Sequence, residues 1–285
     1  MAAYGLWGLL PLFFRLLHHV DPTEVVTQRI IWSLLLIVAI LGARRGLAAL
    51  WATLGDRRIV PPLALSAALI AVNWLTYVWA VHQDQVVAAS LGYFLNPLVN
   101  VALGVVVLKE RLRYWQVAAI GIAALGVAIL AALALTTLWI SLSLALTFAF
   151  YGLVRKLTPV APMTGLGVET ALLTPPALAY LAWEASHGGT GFGQDVPTSI
   201  LLIVTGAVTT VPLVLFAVAA QRLPMATLGL LQYLAPTLQF LCGVLLFGEK
   251  LGTGQMVSFG LIWTGLLLFA SDGVAFARRN RMARA

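Results

Sequence analysis

The sequence predicts an all-α integral membrane protein: ten transmembrane helices arranged as two inverted five-helix repeats. Three observations carry that prediction. Of 285 residues, 61% are hydrophobic and only 9% charged, with mean hydropathy +0.97, whereas a soluble domain carries roughly 25% charged residues. Apolar tracts of about 20 residues recur along the whole chain, each long enough to cross a roughly 30 Å hydrocarbon layer as a helix. Motifs of the first half also return in the second. A soluble core of this size has no room for so much apolar surface, and no stretch is left for a soluble domain.

The spans follow in order from the apolar tracts and the breaks between them. The first, Tyr4–Leu17, is short and starts close to Met1, which raises the expectation of a few residues lost by truncation or start-site choice; no cleavable leader is expected. Glu24–Leu41 ends at Arg44 and Arg45, and Val60–Val81 begins after Arg57 and Arg58. Val86–Leu108 ends at Lys109, Arg111 and Arg113. Trp115–Leu135 closes the first unit, and the second unit begins with Leu138–Val154, which ends at Arg155 and Lys156. The glycine-rich "HGGTGFGQD", read as a solvated connector, separates Thr164–Ala185 from Ile200–Ala220. Met225–Phe247 follows Arg222, and Gln255–Phe276 leads to Arg278, Arg279, Arg281 and Arg284.

Ten spans put 14 of the 17 basic residues on one side. Arg15 and Lys250 fall on the other, and Arg29 lies within a span. Basic residues of short loops stay cytoplasmic, so both termini are expected there. The net charge of +7 then serves topology against an anionic leaflet and calls for no nucleic acid.

The repeat aligns "SLGYFLNPLVNVALGVVVLKERLRYWQVAAIGIAALG" with "TLGLLQYLAPTLQFLCGVLLFGEKLGTGQMVSFGLIWTG". Pro97, Gly104, Glu110, Gln116, Gly121 and Gly126 match Pro236, Gly243, Glu249, Gln255, Gly260 and Gly265. Arg15, Leu17, Val20 and Pro22 match Arg155, Leu157, Val160 and Pro162. The units are therefore residues 1–136 and 137–285. An odd number of spans per unit makes them inverted, about a pseudo-two-fold axis in the membrane plane. That architecture points to a transporter with its site at the midplane.

Polar residues inside a bilayer tend to face a bundle interior or a wet cavity. Tyr93, Asn96, Pro97 and Asn100 share one helical face. Asn73 and Tyr77 lie one turn apart beside Trp74. Thr209, Thr210 and Pro212, with Gln232, Tyr233, Pro236 and Gln239, supply comparable groups in the second unit. Each amide or hydroxyl taken alone reads equally as interhelical glue, and each proline as a kink. Their recurrence in both units favours a substrate cavity for Asn73, Trp74, Tyr77, Tyr93, Asn96, Asn100, Thr210, Gln232, Tyr233 and Gln239. Pro97, Pro212 and Pro236 are the candidate hinges, each freeing a carbonyl one turn back. Of the tryptophans, Trp7 and Trp74 fit a cavity wall.

Arg29 and Glu169 are the two deep charges, at equivalent positions of the two units. They form a candidate charge or coupling pair, Glu169 carrying a proton or binding an ammonium and Arg29 taking a carboxylate; alternatively both make structural polar contacts or snorkel. Glu110 and Glu249 read as boundary contacts. His18, His19, His82 and His187 have no metal-ligand spacing. The lone Cys242 excludes an intramolecular disulfide. No Walker loop, GxGxxG or hydrolase elbow is present, so no cofactor, metal or enzymatic chemistry is expected.

The segments "GYFLNPLVNVALGVVVLKERL", "NWLTYVWAV", "RIIWS" and "GLGVETALLTPP" resemble the EamA branch of the drug/metabolite transporter superfamily, and within it the RarD subgroup. In length and layout the chain is also similar to the YddG amino-acid exporters. The resemblance covers essentially the whole chain, departing from the family at the short first span and at Gln232–Tyr233. It implies a bacterial inner-membrane exporter of neutral and aromatic amino acids, and the RarD relatives' tie to chloramphenicol implies a multidrug exporter as the alternative. Alternating access of one unit against the other is the expected mechanism, either facilitative or proton-coupled. The expected partners are a small-molecule substrate and the lipid bilayer, with the protein a monomer or weak dimer.

Overall fold

The computed structural model describes residues 1–82, 86–133, 135, 138–187, 189–238, 241 and 252–282. Among them the chain is helical, its one strand-like contact being an isolated bridge between Phe192 and Asp195. The helices are α1 (Ala2–Arg15), α2 (Pro22–Ala43), α3 (Leu47–Gly55), α4 (Val60–His82), α5 (Val86–Val106) and α6 (Tyr114–Leu133). There follow α7 (Leu138–Leu157), α8 (Pro162–His187), α9 (Val196–Arg222), α10 (Met225–Gln232) and α11 (Thr253–Met282).

Local chemistry sets several of these boundaries. Asp21 caps α2, accepting from the Thr23 backbone N–H at 2.8 Å, with Pro22 at the first helical position. Proline fits there because its missing N–H would be unsatisfied anyway. Asp195 caps α9 through the Thr198 N–H at 2.7 Å, and that hydrogen bond holds its carboxyl below the usual carboxylate range. Lys156 donates to the Ala220 and Leu223 carbonyls at the far end of α9. Glu110 accepts from the Met225 N–H at 2.8 Å and so caps α10; it joins two distant parts of the chain rather than marking a boundary.

Three features depart from the expectations. The nine-residue α3 lies where only a loop between spans was read. Its Leu50 is buried while Trp51 is 68% exposed, the two-faced pattern of a short helix at an interface. The expected Met225–Phe247 span is interrupted: α10 ends at Gln232, the chain turns at Tyr233, and helix resumes over 234–238. Pro236 lacks the N–H that would bond to the Gln232 carbonyl, which weakens the helix at that turn. The connector "HGGTGFGQD" is docked through its middle, where the Gly191 and Phe192 N–H groups donate to the buried Glu24 carboxylate at 2.8 and 3.0 Å.

Among the described residues, α2, α4, α6, α7, α9 and α11 are long and apolar enough to cross a membrane. Of the other expected spans, α1 has 14 residues, the apolar part of α5 is the shorter Leu91–Val106, α8 contains Glu169, Pro175 and Pro176, and α10 has 8 residues. Apolar side chains stay on the outside, with Leu125 57% and Leu267 73% exposed. Such a surface suits hydrocarbon rather than water.

The helices that meet are distant in sequence. α6 lies along α11, α2 packs on α8 and α9, α5 on α7 and α10, α4 on α7 and α8, and α1 on α9. The α6–α11 seam is close and reciprocal. A Cβ at Gly126 would stand 2.7 Å from the Ser258 carbonyl oxygen, and one at Gly265 would stand 2.6 Å from that of Ala119. Backbones approach this closely only where a side chain is absent. Gly126→Leu or Gly265→Leu should therefore destabilise the purified protein by about 1–3 kcal/mol. Gly121→Ala, with nothing within 4 Å, should be neutral or gain up to ~1 kcal/mol. Chemical denaturation of the three variants in detergent checks both outcomes.

Candidate functional site

Where α1, α2, α4, α5, α7, α9 and the α10 break converge, they leave a cavity lined by Trp7, Leu10, Phe14, Arg29, Asn73, Trp74, Tyr77, Tyr93, Phe148, Leu213, Gln232, Ala235 and Pro236. It offers about 60 Å³ to the centres of water-sized molecules, room for about four waters or a small organic group. Aromatic contacts make the wall. The Trp7 and Phe148 rings meet edge-on at 5.4 Å, both touch Phe216 behind them, and Tyr77 and Tyr93 lie 5.7 Å apart. Tyr4 secures α1 by donating from its hydroxyl to the Leu228 carbonyl at 3.2 Å.

Asn73 reaches across to α7, its amide donating to the Leu144 carbonyl at 2.9 Å and to the Thr147 hydroxyl at 3.0 Å. Arg29 is buried, and its Nε donates to the Thr209 hydroxyl at 2.8 Å. The guanidinium carbon stands 4.7 Å from the centre of the Trp74 ring and 5.3 Å from that of Phe14. Planar, weakly hydrated guanidinium groups favour such aromatic packing.

The structure thus brings Asn73, Trp74, Tyr77, Tyr93, Gln232, Pro236 and Arg29 into one lining and leaves other candidates outside it. Asn96 and Asn100 lie in the seam between α5 and α10. There Asn100 donates to Gln232 Oε1 at 2.6 Å and to Asn96 Oδ1 at 3.2 Å. Asn96 Nδ2, Asn100 Oδ1, the Tyr233 hydroxyl and the Thr210 hydroxyl are buried without a hydrogen-bond partner among the described residues. Pro97 faces this same seam, its carbonyl 2.7 Å from where a Cβ on Gly229 would stand. Pro212 is buried within α9. Gln239, Cys242 and Glu249 lie outside the described residues.

Glu169 belongs to a different assembly. Arg155 Nη1 stands 3.5 Å from Glu169 Oε1, with both side chains 1% exposed. The Ser66 hydroxyl donates to the same oxygen, and the Tyr151 hydroxyl to the other at 3.4 Å. Arg155 also donates to the Pro162 carbonyl at 2.9 Å. A Cβ at Gly165 would fall 1.9 Å from the guanidinium, so glycine is the residue that fits. Arg155, counted among the topology-setting basic residues, is therefore buried inside the bundle, tying α7 to α8 and, through Ser66, to α4. Arg29 and Glu169 do not pair with each other.

Trp7 lines the cavity as its sequence context suggests, whereas Leu10, Phe14, Phe148, Leu213 and Ala235 join it without any signal in the sequence. Apolar residues that face a cavity and those that face lipid read alike. Only the adjacency of α1, α7 and α9 separates them.

The profile of the EamA-like transporter family matches residues 1–132 and again 135–271. The chain is 44% identical to the protein RarD of Streptomyces exfoliatus over 280 residues, covering 98% of this chain and 89% of that one. It is 46% identical over 285 residues to an uncharacterized transporter of Pseudomonas aeruginosa, covering 98% and 94%. A protein of that organism named chloramphenicol-sensitive protein RarD is 31% identical over 284 residues, covering 98% and 95%. A solved crystal structure with 21% identity superposes with a TM-score of 0.71 over 94% of each chain, a likeness of fold.

Breaking a buried ion pair by removing one partner typically costs about 3–5 kcal/mol, whereas replacing both with apolar groups is often tolerated. Glu169→Gln should lower stability by about that amount. The double variant Arg155→Met, Glu169→Leu should recover most of it. Denaturation of the single and double variants in detergent checks the ordering.

Proposed function

Because the chain belongs to the EamA-like transporter family, we propose that it exports neutral and aromatic amino acids and related metabolites across a bacterial inner membrane. The observation that carries this reading is the cavity itself: an aromatic, amide-bearing pocket formed by helices from both ends of the chain. An apolar wall with a few polar groups suits an amphipathic solute of modest size. A carrier of this kind moves its solute without covalent chemistry.

The reading takes the chain as ten spans in two inverted units, 1–136 and 137–285, with both termini cytoplasmic. Support comes from the double match of one family profile. It also comes from reciprocal packing, since the Gly126–Ser258 and Gly265–Ala119 approaches exchange under the 139-residue offset that aligns Gly126 with Gly265. In alternating access the two units rock about the cavity. Pro97, Pro212 and Pro236 are the proposed hinges; Pro236 lacks the N–H that would bond to the carbonyl of Gln232, a lining residue. The protein acts as a monomer or weak dimer.

A second reading, a multidrug or chloramphenicol-type exporter, draws on the name of the Pseudomonas aeruginosa relative. Against a cation-binding role for Glu169 in that reading stands the engagement of its carboxylate by Arg155, Ser66 and Tyr151.

Purified protein in liposomes loaded with labelled phenylalanine, methionine and threonine, with and without a pH gradient, tests the proposal. Saturable release is expected, reduced at least ten-fold by Gln232→Leu and unchanged by the outward-facing Leu125→Ala. Release of chloramphenicol alone would favour the second reading. Release at the rate of protein-free vesicles for every solute would sink the carrier reading.

A further inference from the structure

Arg29 is a buried cation that no acid answers. Its Nε is engaged by Thr209 and its faces lie against Trp74 and Phe14. Its two terminal amino groups have no hydrogen-bond acceptor among the described residues. The cavity lining contains no carboxylate, and the ion pairs among the described residues, Arg113–Asp272 and Arg155–Glu169, do not include it. Guanidinium stays protonated in proteins, and a charge inside a membrane bundle is ordinarily paired or wetted. What the site lacks is an anion.

The geometry specifies the anion further. With Nε already bonded, the two amino groups form the remaining edge of the fork. That edge matches the two oxygens of a carboxylate. Stacking on Trp74 and bonding to Thr209 hold the fork in place before a ligand arrives, which lowers the ordering cost of binding. Trp7, Leu10, Phe14, Phe148 and Leu213 supply an apolar and aromatic stretch of wall that would complement a hydrocarbon or aryl body as the cavity opens. A second negative charge would find no second cation in the lining, and an ammonium would find no acid there and would be repelled by Arg29. The acceptors left for an ammonium are neutral: Gln232 Oε1, which also accepts from Asn100, and the Tyr77 and Tyr93 hydroxyls of the lining.

We propose that Arg29 is the carboxylate-recognising residue of the cavity and that the cavity selects amphipathic organic monoanions, aryl- or alkyl-carboxylates in which an α-ammonium is dispensable. The proposal rests on the carrier reading for its physiological sense, since it names what the carried solute must possess.

Four probes that share a phenyl ring separate the groups: 3-phenylpropionate, phenylpyruvate, L-phenylalanine and phenethylamine. Calorimetric titration of the full-length protein in detergent should find the first two binding at least as tightly as phenylalanine, and phenethylamine at least ten-fold more weakly. Arg29→Lys, which keeps the charge and loses the fork, should weaken the carboxylates about ten-fold. Arg29→Gln should erase the preference over the amine. If either variant fails to fold, the series on the unaltered protein still decides. Equal binding of phenethylamine and 3-phenylpropionate overturns the proposal, as does failure of all four to bind. Saturable phenylalanine flux in liposomes that is unaffected by Arg29→Gln would overturn it while leaving the carrier reading intact. Carboxylate binding that depends on Arg29 without flux would do the reverse.

Discussion

An ionised group in an apolar medium must be matched, and that constraint organises this molecule. Glu169 and Arg155 match each other deep in the bundle, and the surrounding sequence is shaped by the match. Ser66 and Tyr151 donate to the carboxylate. Gly165 leaves space for the guanidinium, and Gly167 lets Ile37 and Leu50 come close from the other side. The run "GLG" at 165–167 thus records two packing demands on opposite faces of α8. Through them α8 is fixed against α7, α4, α2 and the short α3. The cluster ties α8 to α4 and α7, two helices that also line the cavity, and a buried pair with one partner missing is far less stable than either alternative.

The polar residues divide between two destinations. On α5, Tyr93 reaches the cavity while Asn96 and Asn100, one and two turns further on, are enclosed against α10. Gln232 stands at the junction, lining the cavity and accepting from Asn100. It also sits where α10 ends ahead of Pro236, so a cavity-lining side chain coincides with an interruption of the helix. Sites of this kind, built on discontinuous helices, are where irregular backbone inside a membrane finds its partners.

How much of this could be read beforehand follows from the same physics. Asn73, Trp74, Tyr77, Tyr93, Gln232 and Arg29 were legible because polar or amphipathic groups in an apolar tract need a destination. Periodicity placed Tyr93 and Asn96 on one face, yet it could not tell a cavity from a helix seam, since both are interior. Phe14, Phe148 and Leu213 gave no signal because lipid rewards the same residue types. Arg155 read as a loop-end charge because it stands near the end of α7, and only the position of Glu169 on the neighbouring helix reveals its partner. The nine-residue α3 fell below any length suited to spanning, so its apolar spacing carried no weight. Glu110 was read locally, beside Arg111, whereas its function as the cap of α10 links residues 115 positions apart.

The solitary charge of Arg29 has an electrical consequence. Filled by a monoanion, the cavity is neutral; emptied, it holds one positive charge. A carrier that takes its ligand outward and returns empty would therefore bring that charge back toward the cytoplasm. An inside-negative membrane potential favours such a return by about 2.3 kcal/mol per 100 mV for a full crossing of the field. For a monoanionic solute, the voltage across the membrane would then add to the outward drive of the proposed cycle.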